Sequence, residues 1–171
     1  AAATKLGLPA GTPLGYRAGD QPNNALALHV LHPGEVAATG GTSGVVYGVF
    51  DQPIFDQKSR INSFAHVNHT RATPRIGVLL CINGAGILYS WVKQMLAAEG
   101  TTYEKIEAEL EQIQIGADGL SIIPFGNGAE RILENHNPGA SIQNLQFTRH
   151  GKPHLYRAAL EGIAYSFVYG M

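Results

Sequence analysis

The sequence predicts an α/β fold, a mixed sheet with flanking helices built around one core. Two observations predict it. Strand-like segments rich in Val, Ala and Thr come first, up to Ile82, and helical periodicity dominates from Ile87 onward. The chain has 171 residues, 44% hydrophobic and 15% charged, enough for one domain with a real core and too few for two.

The opening, rich in Gly, Pro and Thr, reads as a connector leading to a short strand near Leu14 to Arg17. A helix then begins, with Asp20 as N-cap and Pro22 in its first turn. Ala25, Leu26, His29 and Val30 recur at helical spacing, and Pro33-Gly34 stops the helix. EVAATGGTSGVVYGVF reads as two strands folded about GGTSG, and residues 62–67 and 75–82 as a second hairpin. After Asn83-Gly84-Ala85-Gly86 the spacing of Ile87, Leu88, Trp91, Val92 and Met95 gives one apolar helix face. Thr102 stands where it would cap YEKIEAELEQI, whose Glu104, Glu107, Glu109 and Glu111 form a solvated face. GLSIIPF is a buried strand, and the loop-rich segment from Gly126 ends in a weak strand around Ile142 to Phe147. The last twenty residues form an amphipathic helix through Leu155, Ala159, Leu160, Ile163 and Phe167.

Composition narrows the function. A net charge of -1 with no basic run gives no reason to expect nucleic acid or an anionic membrane as partner. No apolar run approaches the length of a membrane span. The single cysteine, Cys81, lies in the apolar run IGVLLCI and reads as a small buried hydrophobe, with a reactive thiol as the minor reading. A reducing, cytoplasmic setting is the expectation.

Three stretches could carry chemistry. In GGTSG, glycines let backbone N–H groups converge beside the hydroxyls of Thr42 and Ser43, which suits phosphate oxygens; the plain alternative is a tight hairpin turn. No Gly-Lys-Ser/Thr follows, so it is not a P-loop. Asp20 is either a helix cap or an acid at a helix start, where open α/β sheets bind ligands. Asn83-Gly84-Ala85-Gly86 is either a loop or a helix entry that lets a ligand approach the backbone. His66 and His69 are close in sequence, but in a strand their rings point to opposite faces, which argues against a metal site.

Together these motifs resemble the C-terminal domain of FGGY-family carbohydrate kinases, the xylulokinases above all. The resemblance rests on Ala18-Gly19-Asp20-Gln21, Gly41-Thr42-Ser43-Gly44 and the strand leading to Gly86 and Trp91. It extends to Ile123-Pro124-Phe125 through Glu130-Arg131, one residue longer than the family's stretch and without its Thr-Pro, and to Glu161-Gly162-Ile163-Ala164. It implies a ribonuclease-H-like domain of the actin-like ATPase architecture. Residues 1–171 would be most of that C-terminal domain, with the N-terminal domain and a terminal adenosine motif lying outside them, so that the chain alone is expected to be inactive.

The implied reaction moves the ATP γ-phosphate to a ketose, D-xylulose first, with Mg²⁺ held largely by ATP and by the other domain. Another sugar or polyol (ribulose, gluconate, glycerol) is the alternative, as is a non-catalytic actin-like binding or regulatory domain. On this resemblance Asp20 is the catalytic base and a sugar contact, and Gln21 a second sugar contact. Gly41, Thr42 and Gly86 face the nucleotide, as does Ser90, which stands where some relatives carry a glutamine. The implied partners are the sugar and ATP, with no nucleic acid and no membrane; uncovered apolar surface would favour self-association, a homodimer included.

Overall fold

The computed structural model describes residues 2–13 and 19–171. The strand expected near Leu14 to Arg17 lies outside the described residues, as does Ala18. In chain order the elements are helices α1 (Ala2–Lys5) and α2 (Asp20–Ala27), and strands β1 (Val36–Gly40), β2 (Gly44–Phe50), β3 (Asn62–Ala65) and β4 (Ile76–Ile82). Helices α3 (Ala85–Leu96) and α4 (Tyr103–Leu110), strands β5 (Ser121–Phe125) and β6 (Gly139–Gln143), and helix α5 (Lys152–Gly170) follow. One-turn 3₁₀ helices cover Ala117–Gly119 and Glu130–Leu133. The opening thus contains one short helix, α1, where a plain connector was expected.

Four strands pair in the order β1-β2-β4-β3, and β5 pairs with β6 alone. Every pairing among the described residues is antiparallel, so the mixed sheet expected from the sequence is not formed there. The reason is connectivity. Hairpin turns join β1 to β2 and β3 to β4, and β5, the strand reached through two helices, takes β6 as its ladder partner instead of β4.

Strands β2 and β4 form the seven-residue centre of the larger sheet, running from Gly44↔Ile82 to Phe50↔Ile76. Alternation sends Val45, Tyr47 and Val49 of β2, with Ala37 and Leu79, to one face, where Ala25 of α2 covers them. Val46, Leu80 and Ile82 point the other way, onto Phe125, Ala129 and Ile132, with Phe167 of α5 beside them. A third cluster joins α3, α4, β5 and α5 through Leu88, Val92, Ile106, Leu110, Ile122 and Tyr156. Helix α3 buries a narrower stripe than its sequence suggests: Leu88 and Val92 are inside, while Trp91 and Met95 stand on the surface. The glutamates of α4 lie on its exposed side, as expected.

Helix α2 ends before the Pro33-Gly34 stop. His29 adopts a left-handed φ of 59°, Val30 N–H donates to Ala25 O at 2.8 Å and His29 N–H to Leu26 O at 3.0 Å. This is a Schellman closure with histidine where glycine is usual. A buried polar chain fixes it to the sheet: the Tyr47 hydroxyl lies 2.8 Å from His66 Nδ1, and His66 Nε2 lies 3.1 Å from Val30 O. Since a carbonyl only accepts, Nε2 carries the proton and Nδ1 accepts from Tyr47. The ring is 3% exposed, and burial pushes its pKa below the ordinary value despite the opposing bond to Val30.

At Gly162, α5 meets β5 so closely that a Cβ would overlap the Ile122 carbonyl. Glu161 beside it accepts from Gly116 N–H at 2.9 Å and Arg157 Nε at 2.8 Å. The weak strand anticipated at Ile142 to Phe147 forms earlier, at Gly139–Gln143, because register with β5 ends at Ser121↔Gln143. Phe147, which suggested the later position, is 92% exposed.

Gly162→Ala should cost about 1–3 kcal/mol, because the clash is with backbone and cannot be relieved by a rotamer change; urea unfolding would show a lower midpoint at unchanged slope. The depressed His66 pKa has a defined sign: the unfolded state binds the proton first, so stability falls as pH drops below the ordinary 6.5. Between pH 6.5 and about 5, before carboxylates titrate, His66→Gln should show a shallower loss of stability than the native chain in the same urea series.

Candidate functional site

The site is assembled at the end of the sheet where β1 turns into β2 and β4 leads into α3. Pairing of Gly40 with Gly44 leaves Gly41, Thr42 and Ser43 as a three-residue hairpin tip. Register with β4 sets this tip beside residues 83–87. The Ser43 hydroxyl donates to Asn83 Oδ1 at 3.2 Å, Gly86 N–H donates to Gly41 O at 2.9 Å, and Ile87 N–H reaches Thr42 O at 3.5 Å. Gly86 is required here because a Cβ would overlap the Gly41 carbonyl.

Gly86 therefore admits a backbone to close approach, as its motif suggests, and that backbone is the hairpin's own. Its N–H and that of Ile87 are already donated to the turn, and Gly41 N–H is donated to Ser43 O at 3.1 Å. Anion-binding capacity at the rim lies instead with side-chain hydroxyls. Among the described residues Thr42 Oγ1 makes no hydrogen bond within the chain, and Ser90 Oγ accepts only a long 3.5 Å contact from Gln94 Nε2.

Thr42, Gly86 and Ser90 line one open cavity of ≈ 450 Å³, joined by Ile87, Trp91 and Gln94. The structure thus brings together three residues that the sequence places far apart, with Gly41 directly behind them. Trp91 and Gln94 were not singled out by sequence. Their signal was position on the helix, since Gln94 stands one turn beyond Ser90 on the same face.

Asp20 and Gln21 do not line this cavity. Asp20 occupies the first turn of α2 and is exposed; Gly19, not Asp20, is the N-cap. Its Oδ1 accepts from Gln21 N–H at 2.9 Å, a local bond between neighbours. Cys81 on β4 pairs with Val45, next to the hairpin tip. Burial pushes the Cys81 thiol up, so the inert reading of that residue holds in a partly buried setting. His66 is taken up by Tyr47 and Val30, while His69 sits outside against the backbone of Arg75.

No family model matches the chain. It is 30% identical to a gluconokinase of Bacillus licheniformis over 96% of its length, and 28% identical to a xylulose kinase of Haemophilus influenzae over 90%. Among solved structures, the xylulose kinase of Rhodospirillum rubrum superposes with a TM-score of 0.82 at 26% identity, covering 99% of this chain. The chain is a relative of the sugar kinases. It spans about a third of the length of the curated relatives it matches, 33% of the gluconokinase and 29% of the xylulose kinase. Its fold is accordingly that of the actin-like ATPases among which these sugar kinases stand, here with antiparallel sheets and flanking helices.

Gly86→Ala should part the hairpin tip from α3. Hydrogen exchange would report it directly, with faster exchange at the amides of residues 86 and 87 and unchanged protection in the centre of β4.

Proposed function

We propose that this chain forms one wall of the cleft of a carbohydrate kinase that transfers the γ-phosphate of ATP to a sugar hydroxyl. The observation that carries the reading is the cavity itself. Thr42, Gly86 and Ser90 converge on it from a hairpin and a helix. The relatedness to sugar kinases over nearly the whole chain supports it independently.

Phosphoryl transfer asks the protein for positioning, charge compensation and a proton acceptor. Asp20 takes the proton of the attacking hydroxyl, whose oxygen bonds to the γ-phosphorus as the bond to the β-phosphate oxygen breaks and ADP leaves. Gln21, beside it, hydrogen-bonds the sugar. The Thr42 and Ser90 hydroxyls hold phosphate oxygens, with the Gly41–Gly86 contact fixing where Thr42 points.

Among the described residues no three His, Cys, Asp or Glu side chains gather at one point. In this reading Mg²⁺ enters on the nucleotide and is held largely by its phosphates and by another part of the protein. Bound there, it would offset phosphate charge. The two-domain reading places the opposite wall, including further sugar contacts, outside residues 1–171.

D-xylulose is the substrate the motif pattern favours. Gluconate is the second reading, on the specific ground of 30% identity to a gluconokinase. A coupled assay of ADP formation by the intact protein, with each sugar in turn, separates them. A protein that releases no ADP with any sugar would instead be the non-catalytic actin-like domain. Where turnover is found, Asp20→Asn should lower kcat about 10²- to 10⁴-fold with nucleotide affinity largely kept, the range for a positioned base. Near-native turnover would return Asp20 to a structural place in α2.

A further inference from the structure

The cavity at Thr42 does not stand alone. A second one, of ≈ 660 Å³, opens farther along α3, between its C-terminal half and the start of α4. It is lined by polar groups such as Lys93, Thr101 and Thr102, with the Tyr103 ring among them. Two residues line both cavities, Ser90 and Gln94. Together the cavities trace one groove along α3, from the hairpin tip to the N-terminus of α4. From Gly86 to Gln94 is eight residues, about 12 Å of helix at 1.5 Å per residue. That length suits an extended nucleoside diphosphate with phosphates at one end.

The chemistry of the two ends differs. At Thr42 the rim offers hydroxyls, matched to phosphate oxygens. At Gln94 it offers a primary amide, exposed, held only by the long contact to Ser90 Oγ, and able to donate and accept together. Ribose hydroxyls and base edges also donate and accept, whereas phosphate oxygens only accept. Lys93, which lines the second cavity, is engaged by an aromatic ring: its Nζ lies 3.8 Å from the centre of the Tyr103 ring.

We propose that Gln94 binds the nucleoside part of the nucleotide, the side-chain amide at the junction of the two cavities fixing ribose or base while Thr42 fixes phosphate. The assignment rests on the kinase reading above and adds a residue to it. Gln94 is a binding residue of the groove, with no part in the phosphoryl step.

The test is calorimetric titration of the intact protein with ADP and, separately, with inorganic pyrophosphate, both with magnesium. Trp91, the single tryptophan of the chain and a lining residue of the phosphate end, supplies a fluorescence check on occupancy. Gln94 is exposed, so Gln94→Ala should melt at the native temperature. It should bind ADP about three- to ten-fold more weakly, the worth of one neutral hydrogen bond, and pyrophosphate as the native protein does. Thr42→Ala should weaken both ligands. If Gln94→Ala binds ADP within two-fold of native while Thr42→Ala does not, the role of Gln94 is overturned and the kinase reading stands. Equal losses for ADP and pyrophosphate in Gln94→Ala would likewise overturn it, by placing the amide among phosphate contacts. Absence of ADP binding in the native protein overturns both.

Discussion

The antiparallel register of β2 against β4 is the constraint on which the rest of the molecule depends. It decides which residues of β2 face α2 and which face α5. A slip of one residue would carry Tyr47 to the α5 side and Val46 to the α2 side, since side chains alternate along a strand. Both faces of β2 are covered, so neither could accept the exchange. The same register puts Gly44 opposite Ile82, and so sets the hairpin tip beside the first turn of α3. The hydrogen bond from Gly86 to Gly41 is a consequence of strand pairing settled several residues away.

Much of this is visible in the residues themselves. GGTSG between two Val-rich runs could hardly be other than a hairpin, and Asn83 to Gly86 marks the change from strand to helix. The long C-terminal helix follows from the spacing of its apolar residues, and its Glu161-Gly162 pair from the resemblance. What periodicity does not disclose is how wide a stripe the neighbours cover. Trp91 and Met95 share the face of Leu88 and Val92 on a helical wheel, yet the partners of α3 stop short of them. Apolar content likewise misplaced β6, because Leu145 and Phe147 attract attention while the ladder to β5 ends before them.

The site was legible to the extent that its members carry motif glycines and hydroxyls: Thr42, Gly86 and Ser90 meet. The roles of individual amides were not, because a backbone donor can serve a ligand or its own turn, and residue identity is the same for both. Gly41 and Gly86 spend their N–H groups inside the protein. Nor does any local pattern announce the Tyr47–His66–Val30 chain. It depends on three elements arriving together, and on a histidine kept neutral by burial and fixed in its tautomer by a carbonyl from a distant loop. Its effect is to hold the C-terminal end of α2, the helix whose first turn carries Asp20.

Cys81 has a use that follows from its place. As the one thiol of the chain it can be modified at a single position, and it is half covered at the end of β4, in the cluster that α2 closes. Only the thiolate reacts, and burial disfavours it, so alkylation of the closed protein should be slow. Each lifting of α2 from the sheet would expose the sulfur to reagent. The rate of labelling at Cys81 is then a clock for that motion, readable by mass spectrometry without any engineered probe.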